Sequence, residues 1–334
     1  MNNISILNEQ ELRGLLKLDS ATIQCIEEAF RLLETKPVVM PPILSFEIPE
    51  HHGEVDIKTA FVPGIPSFAI KMSPGFFNNP QRGLPSLNGL MVAFAAETGL
   101  VEAVLLDNGF LTDLRTASAG AVAAKWLSRQ EASVAGIVGT GVQARLQLQA
   151  LTLVRNIREA WVWGRNPESA KRCGQECSER LGIPVRATSD LNELMKHSEI
   201  VVTTTPSAEP LLHARHLQPG QHLTAVGSDA PYKQELAPDV LKTADLYVCD
   251  RLSQCQRQGE LRPALDAGIF SSTDEFPELG ALISGKHAGR TSSSQITVCD
   301  LTGTGVQDTA IATLAIQRAN QTNAGTTFSN PSRS

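Results

Sequence analysis

The chain has 334 residues, of which 42% are apolar and 19% charged, with a net charge of −6. This length exceeds one ordinary domain and suits two of roughly 150 residues, each able to bury a real core. A mildly acidic balance without a basic stripe argues against a nucleic-acid binder, and the lack of any run near about 18 uninterrupted apolar residues argues against a membrane partner. The first residues carry neither a basic n-region nor an apolar h-region, so a cytoplasmic location is expected.

Residues 8–34 place Leu12, Leu15, Leu16, Ile23, Ile26, Ala29, Phe30 and Leu33 on one helical face, with Asn8 and Ser20 as caps. From Pro41 to Leu106 the pattern changes to short strands broken by Pro and Gly. Strands are expected over Ile43–Ile48, Val55–Val62, Phe68–Ser73, Gly89–Ala95 and Val101–Leu106, forming an antiparallel meander. Thr112–Leu127 returns to helix, and a βαβ region follows over about 131–305, with strands at Ile200–Thr204, His222–Val226, Leu246–Cys249 and Thr297–Asp300. A last helix, Val306–Asn320, precedes a polar tail expected to be poorly ordered. The six cysteines, at 25, 173, 177, 249, 255 and 299, show no Cys-x-x-Cys spacing. Free thiols are expected, with no disulfide and no metal site.

Val134-Ala-Gly-Ile-Val-Gly-Thr-Gly-Val-Gln-Ala144 reads as a buried strand, a glycine turn and a helix start. Gly139 allows the tight turn, Gly141 lets the backbone approach a pyrophosphate, and Ala144 lets helix and strand pack closely. The strand Ala160–Trp163 completes a βαβ unit of about 30 residues. A plain tight turn is the alternative reading of the glycines. The apolar strand before them and the helical spacing after them favour a dinucleotide.

Four ordered motifs extend this: Leu106-Asp-Asn-Gly-Phe-Leu-Thr-Asp-Leu-Arg-Thr-Ala-Ser-Ala119, the glycine turn, Val226-Gly-Ser-Asp229 and Asp300-Leu-Thr-Gly-Thr-Gly-Val-Gln-Asp308. Together they resemble the ornithine cyclodeaminase/μ-crystallin family over about residues 8–318. Met40-Pro-Pro-Ile-Leu, Ser73-Pro-Gly-Phe-Phe and Gly83-Leu-Pro-Ser-Leu-Asn-Gly most resemble its ectoine-utilization cyclodeaminases and bacterial iminosuccinate reductases. The resemblance implies an α/β fold with a Rossmann dinucleotide-binding domain plus an α+β substrate and dimerisation domain built from both chain ends. On this chain those are 126–305, and 1–125 with 306–322, leaving 323–334 as tail. It also implies NAD(H) or NADP(H) as cofactor, a homodimer, and a small α-imino or α-amino acid as substrate.

Such a substrate needs a fixed cation for its carboxylate. Arg115 offers a planar fork and Lys71 is the second candidate; both match family positions that contact the substrate carboxylate, and Arg115 also the cofactor phosphates. A surface ion pair is the bland alternative for each. Asp229, in a loop after a parallel strand, is the expected acid/base and matches the family's catalytic aspartate; its alternative is a turn residue. Thr140, Val142 and Gln143 should lie with Gly139 and Gly141 along the pyrophosphate. The resemblance adds Thr116, Thr203, Val226, Gly227, Ser228 and Thr302 to the cofactor site.

No carboxylate follows Trp163, where Gly164-Arg165-Asn166 stands. Arg165 suits a 2′-phosphate, and Asn166 beside an NAD ribose is the other reading, so both cofactors stay open. Lys58 stands where many relatives carry an apolar residue. If directed inward it suits a second carboxylate, as in iminosuccinate, but strand alternation alone leaves its facing open. Ser45 or a neighbour replaces an arginine common in the family, which weakens ornithine specificity. The reading is therefore NAD(P)-dependent reduction of an α-imino acid to the L-amino acid. Redox-neutral cyclodeamination of ornithine or a diamino acid, as in ectoine utilization, is the second reading. A non-catalytic μ-crystallin-like binding protein is the third.

Overall fold

The computed structural model describes residues 2–330. They form two compact units, one from segments 2–17, 24–115 and 304–330, the other from 18–23 and 116–303. The border thus falls between Arg115 and Thr116, whereas the sequence placed it after residue 125.

The chain opens with strand β1 (Asn2–Asn8) and helix α1 (Glu9–Leu15). Asn8 caps α1 reciprocally: its side chain accepts from the Glu11 N–H at 3.0 Å and the Glu11 carboxylate accepts from the Asn8 N–H at 2.8 Å. Leu16 leaves the helical region, and α2 (Ser20–Thr35) starts afresh. The helical stretch expected across 8–34 is thus two helices behind a strand that was not expected. The second cap is Asp19, whose Oδ1 accepts from the Thr22 N–H at 2.9 Å; Ser20 already lies within the helix.

The meander follows as expected: β2 (Leu44–Ile48), β3 (Gly53–Ala60), β4 (Ser67–Phe76), β5 (Leu90–Ala95) and β6 (Val101–Leu106) pair antiparallel in succession. β6 also takes β1 in parallel. The register of β3 on β4 sets Lys58 opposite Lys71, and both side chains are buried. Lys58 therefore faces inward. α3 (Phe110–Leu127) comes next.

The second unit is a βαβ alternation: β7 (Val134–Val138), α4 (Val142–Val154), β8 (Glu159–Trp163), α5 (Pro167–Leu181), β9 (Val185–Thr188), α6 (Leu191–His197), β10 (Ile200–Thr203) and β11 (His222–Ala225). Then come α7 (Pro238–Thr243), β12 (Leu246–Cys249), α8 (Leu252–Cys255), α9 (Leu261–Asp266), α10 (Leu279–Ile283) and β13 (Thr297–Asp300). The strands form one parallel sheet in the order β12-β13-β11-β10-β7-β8-β9. Strand β9 had no apolar signal in the sequence. Strand order reverses between β7 and β10, the switch point where open α/β sheets take ligands at the carboxyl ends of their strands. Strands buried on both faces explain the near-continuous apolar runs at Ile200–Thr203 and Val134–Val138.

The chain returns to the first unit with α11 (Gly305–Thr322), packed on β3 and β4 through Val306 and Ala310 beside Ala29, Leu33, Ala60 and Val62. A Cβ added at Gly305 would collide with the Thr59 carbonyl, so the helix start lies directly on β3. Within the polar tail expected to be disordered, whose residues 331–334 lie outside the described residues, residues 326–330 instead form β14 (Thr326–Asn330), antiparallel to β1. Its side chains are exposed, so backbone pairing supplies its order. The first sheet thereby reads β14-β1-β6-β5-β4-β3-β2. Among the described residues no helix is long and apolar enough to cross a membrane. All six cysteines are free thiols, five of them buried.

Candidate active site

The first unit gathers cations around one carboxylate. Lys71 on β4 and Arg115 on α3 converge on Asp308 in the first turn of α11, with Lys71 Nζ at 3.3 Å from Oδ2 and Arg115 Nε at 3.1 Å from Oδ1. The Gln307 side-chain oxygen accepts from Arg115 Nη1 at 3.1 Å and from the Thr304 N–H at 3.2 Å. Lys58 and Asp107 are buried beside them. Neither Lys71 nor Arg115 is a surface ion pair, since their side chains are 2% and 7% exposed. Burial pushes the Lys71 ammonium down to about 7; Asp308 pulls it upward, while Arg115 and Lys58 push it further down. Burial raises the Asp107 carboxyl, against the pull of the Leu111 and Gly109 N–H groups and of Lys71. With Lys71 and Arg115 both charged, two buried cations face the single carboxylate of Asp308, an arrangement that suits a further, bound carboxylate.

The second unit places the glycine turn at the switch point. Gly139 has φ +130°, a region glycine tolerates, and a Cβ there would collide with Thr204. Gly141 is the N-cap of α4 with ordinary φ and ψ, and a Cβ there would meet nothing within 4 Å. The protein itself does not need that glycine. Its lack of a side chain leaves the approach to the helix N-terminus open, the space a pyrophosphate would need. Thr140 and Gly141 carbonyls accept from Arg145 Nη1 at 2.6 and 3.1 Å, and Arg145 is paired with Glu176 at 2.6 Å. Gln147 bonds the Thr116 carbonyl at 3.0 Å and the Gln143 side-chain oxygen at 3.3 Å, crossing α3 where Gly120 leaves room. Val142 is exposed at the helix start. At the end of β8, Arg165 is exposed, whereas the Asn166 side-chain oxygen caps α5 by accepting from the Ser169 N–H at 2.9 Å.

The remaining expected residues line the ends of β10, β11 and β13. Thr203, Ser228 and Thr302 each donate their hydroxyl proton within the unit, to Glu235 at 2.6 Å, the Lys233 carbonyl at 2.8 Å and Asp250 at 2.9 Å. Val226 is buried after β11, and Gly227 bonds Glu235 through its N–H at 2.7 Å. Asp229 stands at the turn after them, its carboxylate 48% exposed and paired with the mostly buried Lys233 at 2.7 Å. Gln258 fixes the turn by donating to the Asp229 carbonyl at 3.0 Å. A carboxylate within reach of both water and a lysine can exchange a proton. Asp308, Gln307, Arg145, Gln147 and Glu235 were not singled out from sequence. Only Gln307 and Asp308 left a trace there, as adjacent polar residues opening an apolar helix within a quoted motif.

A parallel sheet of this order, with a glycine turn and helix N-terminus at its switch point, defines a Rossmann dinucleotide-binding unit. The chain belongs to the ornithine cyclodeaminase/mu-crystallin family, whose model matches residues 3–323. It is 56% identical to a conjectured dehydrogenase of Rhizobium meliloti and 54% identical to an uncharacterized cyclodeaminase of Sinorhizobium fredii, in both cases over 98% of this chain and 99% of the other. Among solved structures it resembles a dimeric archaeal alanine dehydrogenase with bound NAD at 34% identity and TM-score 0.91, covering 98% of this chain and 99% of that one. The Δ1-pyrroline-2-carboxylate reductase of Thermococcus litoralis, with NADH and L-proline, matches at 28% identity and TM-score 0.92 over 97% and 99% of the two chains. The iminosuccinate reductase of Paracoccus denitrificans, with NAD+, matches at 28% identity and TM-score 0.90 over 98% and 100%.

Proposed function

We propose that this protein is a dimeric NAD(H)- or NADP(H)-dependent enzyme that reduces a small α-imino acid to the L-amino acid. The observation that carries the reading is the buried pair of Lys71 and Arg115 on Asp308, a cationic seat for a carboxylate, with Lys58 buried opposite Lys71. The relatives act on substrates of one kind: their names give alanine, pyrroline-2-carboxylate and iminosuccinate. When bound, the dinucleotide supplies or accepts the hydride. Gly139, Thr140, Gly141, Val142 and Gln143 hold its pyrophosphate, with Thr116, Thr203, Val226, Gly227, Ser228, Thr302, Arg165 and Asn166 as further contacts. Arg115 and Lys71 hold the substrate carboxylate. Asp229 gives a proton to the substrate nitrogen and takes it back in the reverse direction, with Lys233 steadying its charged form. Lys58, inward and opposite Lys71, takes a second carboxylate.

The identity with the Sinorhizobium cyclodeaminase favours one second reading, redox-neutral cyclodeamination of ornithine or another diamino acid. An assay of NADH and NADPH oxidation with oxaloacetate plus ammonia, pyruvate plus methylamine, and pyrroline-2-carboxylate decides between them when run beside ammonia release from ornithine and diaminobutyrate with NAD+. Ammonia release without net NADH change reverses the order of the two. Lys58→Ala should raise KM for the dicarboxylic imine several-fold and leave the pyruvate-derived one unchanged; equal effects on both remove Lys58 from the second-carboxylate role.

A further inference from the structure

A string of buried carboxylates runs along the carboxyl ends of the parallel sheet, and the glycine-turn mechanism makes no use of it. The Glu235 carboxylate accepts three bonds: from Thr203 Oγ1 at 2.6 Å, from the Thr205 N–H at 2.6 Å and from the Gly227 N–H at 2.7 Å. The Glu235 and Leu236 N–H groups donate in turn to the two oxygens of Glu260, each at 2.9 Å. Asp300 Oδ2 then accepts from the Glu260 N–H at 2.8 Å and from the Tyr247 hydroxyl at 2.9 Å. All three acids are buried. Glu235 is surrounded by donors, so it acts as an acceptor on every side. Its burial raises the carboxyl and its donors pull it back toward ionisation. A Cβ on Gly227 would collide with this carboxylate, so the close approach requires glycine there.

The donors of Glu235 belong to the segments leaving β10 and β11, next to the switch point. Two of them, Thr203 and Gly227, stand among the residues assigned above to the dinucleotide. We propose that Glu235 is a positioning residue of the dinucleotide site. Its carboxyl ties the ends of β10 and β11 into one wall and, in its ionised form, places a negative charge there. A buried charge is poorly screened, so it favours the oxidised cofactor, whose nicotinamide is cationic, over the reduced one, whose nicotinamide is neutral. The inference rests on the dinucleotide reading of the preceding section.

The test uses the full chain with Glu235→Gln and Glu260→Gln. Reduced dinucleotide is titrated by its fluorescence, the oxidised form by competition, and melting temperatures are recorded alongside. Glu235→Gln turns an N–H toward an N–H and removes the charge. It should weaken the reduced form about 10-fold, the scale of one lost charged hydrogen bond, and the oxidised form several-fold more. Glu260→Gln leaves the Glu235 charge in place and displaces its backbone, so both forms should weaken by a similar, smaller factor. Should Glu235→Gln not fold, the assignment stands or falls on whether Glu260→Gln weakens dinucleotide binding at all. Variants that melt lower yet bind both forms with wild-type affinity, or a Glu235→Gln that loses both forms equally, overturn it. Wild-type protein that binds neither NADH nor NADPH overturns the dinucleotide reading itself, and the role of Glu235 with it.

Discussion

Lys71 sits at the border between charged and neutral. With burial bringing it to about 7, it is a cation below that pH and an amine above it. Only the cation grips a carboxylate, so kcat/KM for an imino acid should fall as pH rises through about 7, with Lys58, Arg115, Asp107 and Asp308 as the charged groups that set the midpoint. In Lys71→Met that alkaline limb should vanish along with most of the activity; an unchanged profile would remove Lys71 from substrate binding. Asp229 is the complementary case. Asp229→Asn keeps the shape of the turn but cannot move a proton, so kcat should drop about 100-fold or more while NADH affinity holds. Unchanged turnover would take Asp229 out of the acid/base role. The facing of Lys58 was not legible because Val55 and Ile57 alternate with Asp56 and Lys58, and an apolar-inward rule points the wrong way. The buried set on β3 includes Lys58 and Ala60, since the interior there is a polar cluster. Glu235 and Glu260 were equally silent: an acid in a loop looks solvated until tertiary packing closes over it.

At the level of elements, the two turn glycines separate folding from binding. Gly139→Ala forces a side chain into a positive-φ position against Thr204, so it should lower the melting temperature and abolish dinucleotide binding together. Gly141→Ala meets nothing within 4 Å in the protein. It should melt with the wild type yet bind NADH at least about 10-fold more weakly, because its methyl group occupies the approach to the α4 N-terminus. A Gly141→Ala protein with full affinity would show that no pyrophosphate lies there. These elements were the most readable part of the chain. Short strands broken by Pro and Gly marked the meander, and buried apolar runs marked β7, β8, β10, β11, β12 and β13. Strand β9 was missed because Val-Arg-Ala-Thr carries a single large apolar residue. Strand β14 was missed because its order comes from backbone pairing with β1, which leaves no side-chain signature.

For the whole molecule, buried acids give stability an unusual dependence on pH. Burial brings Asp300 up to about 7 and raises Asp107, Asp250, Glu235 and Glu260 as well. A folded carboxyl with a raised pKa binds protons that the unfolded chain has already lost. Each such group therefore contributes stability at acid pH that is lost as pH rises toward neutrality. His222, pushed down to about 3 by burial, and His216, also lowered by burial, oppose them below the ordinary 6.5. Five acids against two imidazoles set the sign. The melting temperature should be higher at pH 5.5 than at 7.5, by roughly 2–4 °C for each kcal/mol at this size. Above about 7 Lys71 reverses the trend, because the unfolded chain holds that proton more tightly up to about 10.5. Melting curves that rise steadily from pH 5.5 to 7.5 would contradict the ionisation pattern assigned to these acids.

The seating of Gly305 on the Thr59 carbonyl reaches beyond packing, to the order in which the protein is made. The helix that covers β3 and β4 and carries Asp308 leaves the ribosome long after the strands it covers. The dinucleotide-binding unit, complete at residue 303, is wholly synthesised before that helix begins. Domains fold as units during synthesis. The inserted half is thus expected to mature first, while the meander and its two buried lysines wait uncovered for their counter-charge. A chain truncated after residue 303 and released from the ribosome should present a protease-resistant core of the inserted unit and a digestible remainder.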